Sequence, residues 1–143
     1  MKPFECIFHP KKGVGPINFG QSFTAIKNIR GFKLKRFDPD PDTPPTYDND
    51  PLDLTVYQDE DGKVRSISCD EYLYVDGENI IGMQINDALR LLGNPQYELE
   101  KDFELWEGEV QDIYNIEALG MSLWTTSDGE ILSASLDDGD YED

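Results

Sequence analysis

Two stretches of the chain share one pattern of apolar and polar positions. Asp53-Leu-Thr-Val-Tyr-Gln-Asp-Glu-Asp-Gly-Lys-Val-Arg-Ser-Ile-Ser68 lines up with Gly120-Met-Ser-Leu-Trp-Thr-Thr-Ser-Asp-Gly-Glu-Ile-Leu-Ser-Ala-Ser135 at a constant offset of 67. In each, apolar residues alternate with polar ones, an Asp-Gly pair interrupts (Asp61-Gly62, Asp128-Gly129), and alternation resumes. A period of two marks a half-buried strand, and Asp-Gly suits a tight hairpin turn. Each copy reads as a β-hairpin. Leu54, Val56, Val64 and Ile67 are expected to point inward in the first, and Met121, Leu123, Ile131 and Ala134 in the second.

The segments upstream also match, at an offset of 62. Phe19-Gly-Gln-Ser-Phe-Thr-Ala-Ile-Lys-Asn-Ile-Arg-Gly31 aligns with Ile81-Gly-Met-Gln-Ile-Asn-Asp-Ala-Leu-Arg-Leu-Leu-Gly93. In the second copy Ile85, Ala88, Leu89 and Leu92 fall on one helix face. Gly93 supplies a left-handed cap and Asn94-Pro95 bars continuation. In the first copy Ser22 caps the start and Gly31 the end. Its stripe is weaker, because Lys27 and Arg30 stand where Leu89 and Leu92 do, which leaves the packing to Phe23, Ala25, Ile26 and Ile29.

Phe32–Phe37 and Tyr72–Gly77 read as further strands. Tyr97–Trp106 fits neither period cleanly and reads as a strand-like entry with a helical turn. Residues 38–51 carry five prolines and five aspartates and read as an exposed loop without regular structure. The expected fold is α+β: a tandem repeat of short helix plus antiparallel strands, forming one continuous antiparallel sheet with helices packed on one face. The 143 residues then make a single domain of two related halves, about 13–69 and 78–136, with an acidic tail at 137–143.

Charge changes the picture more than size does. Thirty acidic side chains against twelve basic ones give a net charge of −18. Their placement is uneven: residues 1–36 hold eight basic side chains against Glu5 alone, and residues 37–143 hold four against 29 acidic ones. Two readings stand open. The halves attract each other within one fold, or the acidic body presents a steering surface to a cationic partner. Either way the balance opposes phosphate binding and docking on anionic membranes, so neither nucleic acid nor membrane is an expected partner. No run of about 18 apolar residues occurs, and Met1-Lys2-Pro3-Phe4-Glu5 lacks the apolar stretch of a signal peptide. A cytoplasmic location is expected. Cys6 and Cys69 then read as reduced and half-buried.

Catalytic and metal motifs are weak. Asp38-x-Asp40-x-Asp42 opens like a calcium loop, but Thr43, followed by Pro44, stands where the glycine belongs, and Asn49 replaces the closing glutamate. Asp59-x-Asp61-Gly62 puts the glycine too early. His9, the single histidine, precedes Pro10 and reads as an ordinary surface residue. No Gly-x-Ser-x-Gly elbow occurs, and Gly13-Val-Gly15 lacks the third glycine of a dinucleotide site. No cofactor or metal and no enzymatic activity is expected; a carboxylate-pair hydrolase stands as a minor alternative. Tyr57 and Trp124 occupy equivalent hairpin positions, out of phase with Val56 and Leu123. With Trp106, Tyr47 and Tyr114 they read either as anchors of a protein interface or as cover for the second sheet face.

Gly15-Pro16-Ile17-x-Phe19-Gly20-x-Ser22, a helix ending at Gly31 and the following Asp-Gly strand pair resemble a group of small acidic bacterial proteins. Some of these sit beside secreted toxins as immunity proteins of contact-dependent growth inhibition or related polymorphic toxin systems. The layout also resembles, at the level of fold, β-lactamase inhibitory protein and the small outer-membrane assembly lipoproteins, although no lipid-anchoring cysteine matches the latter. The resemblance supplies no catalytic residues. It implies an immunity protein, monomeric alone and 1:1 with a cognate toxin, which it neutralises by occlusion. A nuclease-type toxin would be basic, because its substrate is anionic. The expected partner-binding residues are Asp59, Glu60 and Asp61 at the first hairpin tip, Asp48 and Asp50 in the loop, and Tyr57 and Trp124 as anchors. The alternative is a non-catalytic protein-binding or regulatory module with another partner.

Overall fold

Alternating side chains and well-placed turn residues make this chain overwhelmingly a sheet protein. The computed structural model describes residues 6–27, 35–37, 41–42, 46–49, 52–104 and 108–138. Their strands are β1 (Phe8–His9), β2 (Gly13–Val14), β3 (Ile17–Asn18), β4 (Lys35–Phe37), β5 (Thr46–Asn49), β6 (Leu54–Gln58), β7 (Val64–Cys69), β8 (Tyr74–Val75), β9 (Glu78–Asn79), β10 (Glu98–Glu104), β11 (Val110–Ile116), β12 (Met121–Thr125) and β13 (Ile131–Asp137). The helices are α1 (Phe23–Lys27) and α2 (Ile85–Leu91). Eight strands form one antiparallel sheet in the order β10-β11-β12-β13-β7-β6-β5-β4. Two blocks of sequential neighbours thus meet where β13 pairs with β7, through Ala134–Cys69, Ser135–Ser68, Leu136–Ile67 and Asp137–Ser66.

This corrects the expected α+β tandem repeat. Strands take 51% of the described residues and helical ones 14%. The helices are five and seven residues long, too short to form a layer. What recurs is a hairpin with its bracing loop. Gly20 N–H donates to the Val64 carbonyl (2.8 Å), Val64 N–H to Gln21 (2.8 Å) and Phe23 N–H to Gly62 (3.2 Å). At the second hairpin Gly82 N–H donates to Ile131 (2.7 Å), Ile131 N–H to Met83 (3.0 Å) and Ile85 N–H to Gly129 (2.8 Å). The local signals for the helices hold. Ser22 Oγ accepts from the Ala25 N–H at 3.3 Å, and Gly93 follows α2 with φ 86°. Gly31 lies outside the described residues.

Two further expectations give way. Residues 46–49, read as loop, form β5 between β4 and β6. Tyr47 turns inward against Phe23, ring centroids 4.4 Å apart. The buried Asn49 accepts the Leu52 N–H through Oδ1 at 3.0 Å. Residues 98–104 are strand throughout, with no helical turn there. Lys101 and Asp102 form a bulge opposite Asp112, which hides the period of two. Asp102 takes φ 56° and its N–H donates to Asp112 Oδ1 at 3.0 Å. That bond gives the buried Asp112 carboxylate a partner. Asp137, read as the first tail residue, is the last of β13.

Leu54, Val56, Val64 and Ile67 are buried on one face of the sheet, and so are Met121, Leu123, Ile131 and Ala134. Val14, Ile17, Ile26, Leu73, Ile80, Ala88 and Leu89 belong to the same core. Cys6 and Cys69 are free and buried rather than half-buried. Among the described residues no helix is long and apolar enough to cross a membrane.

Candidate functional site

Alternation that buries one face of a sheet presents the other. Here register carries one polar row across all eight strands. Lys35 faces Asp48, Asp48 faces Thr55, and Thr55 faces Ser68. Ser68 faces Ser135, Ser135 faces Ser122, Ser122 faces Asn115, and Asn115 faces Glu98. Every member is half-buried or exposed. Ser122 Oγ donates to Asn115 Oδ1 at 2.7 Å, and Asn115 Nδ2 donates to Glu100 Oε1 at 3.3 Å.

Tyr57 and Trp124 both stand on this outer face, on opposite sides of the row. Tyr57 lies between Thr46 and Ser66 and is 41% exposed. Trp124 lies between Ile113 and Ser133 and meets Phe103 edge-on, centroids 5.5 Å apart at 90°. The two expected anchors therefore flank a common surface rather than form one patch. Tyr47 faces the core instead, and Tyr114 pairs with Tyr97 at 5.1 Å. Trp106 and Asp50 lie outside the described residues.

The hairpin tip divides its acids. Asp59 Oδ1 accepts the N–H groups of Asp61 (2.9 Å) and Lys63 (3.0 Å), so this carboxylate shapes the turn. Glu60 and Asp61 are exposed. A second group of acids acts on Tyr57. Burial raises the Asp70 carboxyl above its usual range; Asp53 adds to this, Ser68 opposes it by hydrogen bonding, and Asp48 adds again. Burial, then Asp70, then Asp48 raises the Tyr57 phenol. Asp53 and Asp70 are brought together by the β6–β7 pairing, where Asp70 N–H donates to the Asp53 carbonyl at 3.1 Å. An entering guanidinium or ammonium would relieve that repulsion and find the tyrosine ring beside it.

Sequence reasoning reached Asp48, Tyr57 and Trp124 but missed Asp53, Asp70 and the hydroxyl row. The duplicated Ser66-Ile-Ser68 and Ser133-Ala-Ser135 triplets carried that signal. One end of the row opens into a cleft of about 830 Å³, lined by Glu98, Asn115, Ser122, Asp137 and Lys11 among others. Among the described residues no three histidine, cysteine or acidic side chains converge as metal ligands. His9 is exposed on β1. Comparison with protein-family models, with curated proteins and with solved structures finds no match.

Proposed function

We propose that this chain is an immunity protein that binds a basic, nuclease-type toxin domain and neutralises it by occlusion. The observation that supports this most is the outer sheet face, where the β6–β7 pairing sets Asp53 beside Asp70 and the exposed Tyr57, its phenol raised first by burial and then by Asp70 and Asp48, shares their negative field. A cationic protein is the partner that such a field attracts. A net charge of −18 extends the attraction beyond contact range and speeds encounter. No chemistry is required of the chain; a flat, wide surface suffices to cover an active site.

The test begins with capture from the native host by the tagged chain at low salt, identification by mass spectrometry, and expression of the captured protein alone. The proposal expects one basic protein at matching stoichiometry that arrests growth by itself and is harmless beside this chain. It also expects an Asp48→Lys, Asp70→Lys variant to lose both capture and protection. A captured protein without toxicity would overturn the immunity reading in favour of a regulatory module. Equal capture by the variant would remove this face from the interface.

A further inference from the structure

β10 is an edge strand: it lies at the end of the eight-stranded sheet and pairs with β11 alone among the described residues. All seven of its residues are exposed. Edge strands present unpaired backbone donors and acceptors, and proteins usually cover or blunt them. This one is not apolar-free. Leu99 is 39% exposed and Phe103 40%, with Tyr97 just before them at 46%. Phe103 sits beside Trp124 on the outer face, while Leu99 pairs with Tyr114 across β11. An added strand would therefore meet apolar side chains on both faces and a backbone ladder between them.

The charges on β10 select the occupant. Glu98, Glu100, Asp102 and Glu104 stand against Lys101. A second copy of this chain is a poor match, because the strand aligned antiparallel to itself sets Glu98 against Glu104 and Glu100 against Asp102. Like charges directly opposite destabilise a pair. We infer that the open edge of β10, over the regular stretch Glu98–Glu100, takes an extended lysine- or arginine-bearing segment of the partner as an added strand. This rests on the reading above that the partner is a cationic protein, and adds how it is held. The bulge at Lys101–Asp102 limits the pairing to a short run, so affinity comes jointly from backbone bonds, the acids and Phe103.

The test uses the intact protein and a short acetylated peptide of alternating lysine and valine. Two controls accompany it: the same peptide with glutamate for lysine, and the lysine peptide N-methylated at alternate residues so that it cannot extend a ladder. Amide hydrogen exchange is read residue by residue. The expected result is slowed exchange within Glu98–Glu100 with the lysine peptide alone, falling off with salt. A Glu98→Lys, Glu100→Lys variant is expected to bind about tenfold more weakly or worse. Phe103→Ala keeps the fold, since its ring is surface-exposed, and should also weaken binding.

Equal binding of the N-methylated peptide, or no binding of the lysine peptide, would overturn the inference. So would perturbation confined to Tyr57, Asp48 and Asp70, although that result leaves the cationic-partner reading standing. That reading fails separately, when capture from the host returns no basic protein.

Discussion

Asp70 N–H donates to the Asp53 carbonyl at 3.1 Å, which sets the two acids together: burial, Asp53 and Asp48 push the Asp70 carboxyl up, and hydrogen bonding from Ser68 opposes them. The balance leaves its folded pKa above the ordinary value of 3.8. Ionising Asp70 therefore opposes folding. Its contribution is most favourable below pH 3.8 and is lost as pH rises through the raised value. Asp70→Asn is expected to be more stable than the parent at neutral pH and to lose that advantage well below pH 3.8. Ser68→Ala should shift the window higher. Paired urea melts at the two pH values read this directly. The same substitution of Asp70 should move the alkaline absorbance titration of Tyr57 back toward 10.0, though not fully, since burial is its larger cause.

Thr125 Oγ1 is buried with no hydrogen-bond partner among the described residues, across from Asp112 on β11. A buried unsatisfied hydroxyl is costly, and valine has nearly the same shape. Thr125→Val is expected to stabilise the protein by about 1 kcal/mol in denaturant titration. Loss of stability would mean that the hydroxyl has a partner in solution, such as an ordered water.

Asn79 ties a turn together with three bonds. Its Oδ1 accepts the N–H groups of Leu73 (2.9 Å) and Ile81 (3.2 Å), and its Nδ2 donates to the Glu71 carbonyl (3.0 Å). Asn79→Ala strands those backbone groups and should cost about 1 to 3 kcal/mol. Amide exchange at Leu73 and Ile81 should accelerate before the rest of the sheet responds. Asn79→Asp keeps the acceptor and should lose less.

Both thiols are shielded. Burial pushes Cys6 up to about 11, and burial together with Cys6 and Asp70 raises Cys69. The thiolate is the reactive form, so a disulfide reagent at mildly alkaline pH is expected to leave the native protein untouched. Two equivalents should react once urea unfolds it. Fast reaction of either thiol in the native state would show that the β1 region opens.

The hairpins were legible because alternation and Asp-Gly turns are local signals, and Tyr57 and Trp124 were legible as outward residues for the same reason. β5 was not, since its inward positions are Tyr47 and Asn49 and an asparagine does not advertise a core. β10 was hidden twice over: none of its residues is buried, and the bulge at Lys101–Asp102 breaks its period. The helices are only five and seven residues long; of the first stripe Ala25 is exposed and Ile29 lies outside the described residues, so the stripes do not amount to the layer that an α+β fold needs. The acidic neighbourhood of Asp53 and Asp70 is a product of strand pairing, so their separation in sequence conceals it.

The junction of β13 with β7 also sets the order of assembly at the ribosome. β7 emerges with β6 already beside it, but the strand that covers its other side follows roughly 60 residues later. Until then Val64, Ile67 and Cys69 belong to an unfinished sheet with an adhesive margin. Completion is thus a late, single event in biogenesis, and truncation ahead of Ile131 is expected to yield an aggregating product rather than a smaller folded one.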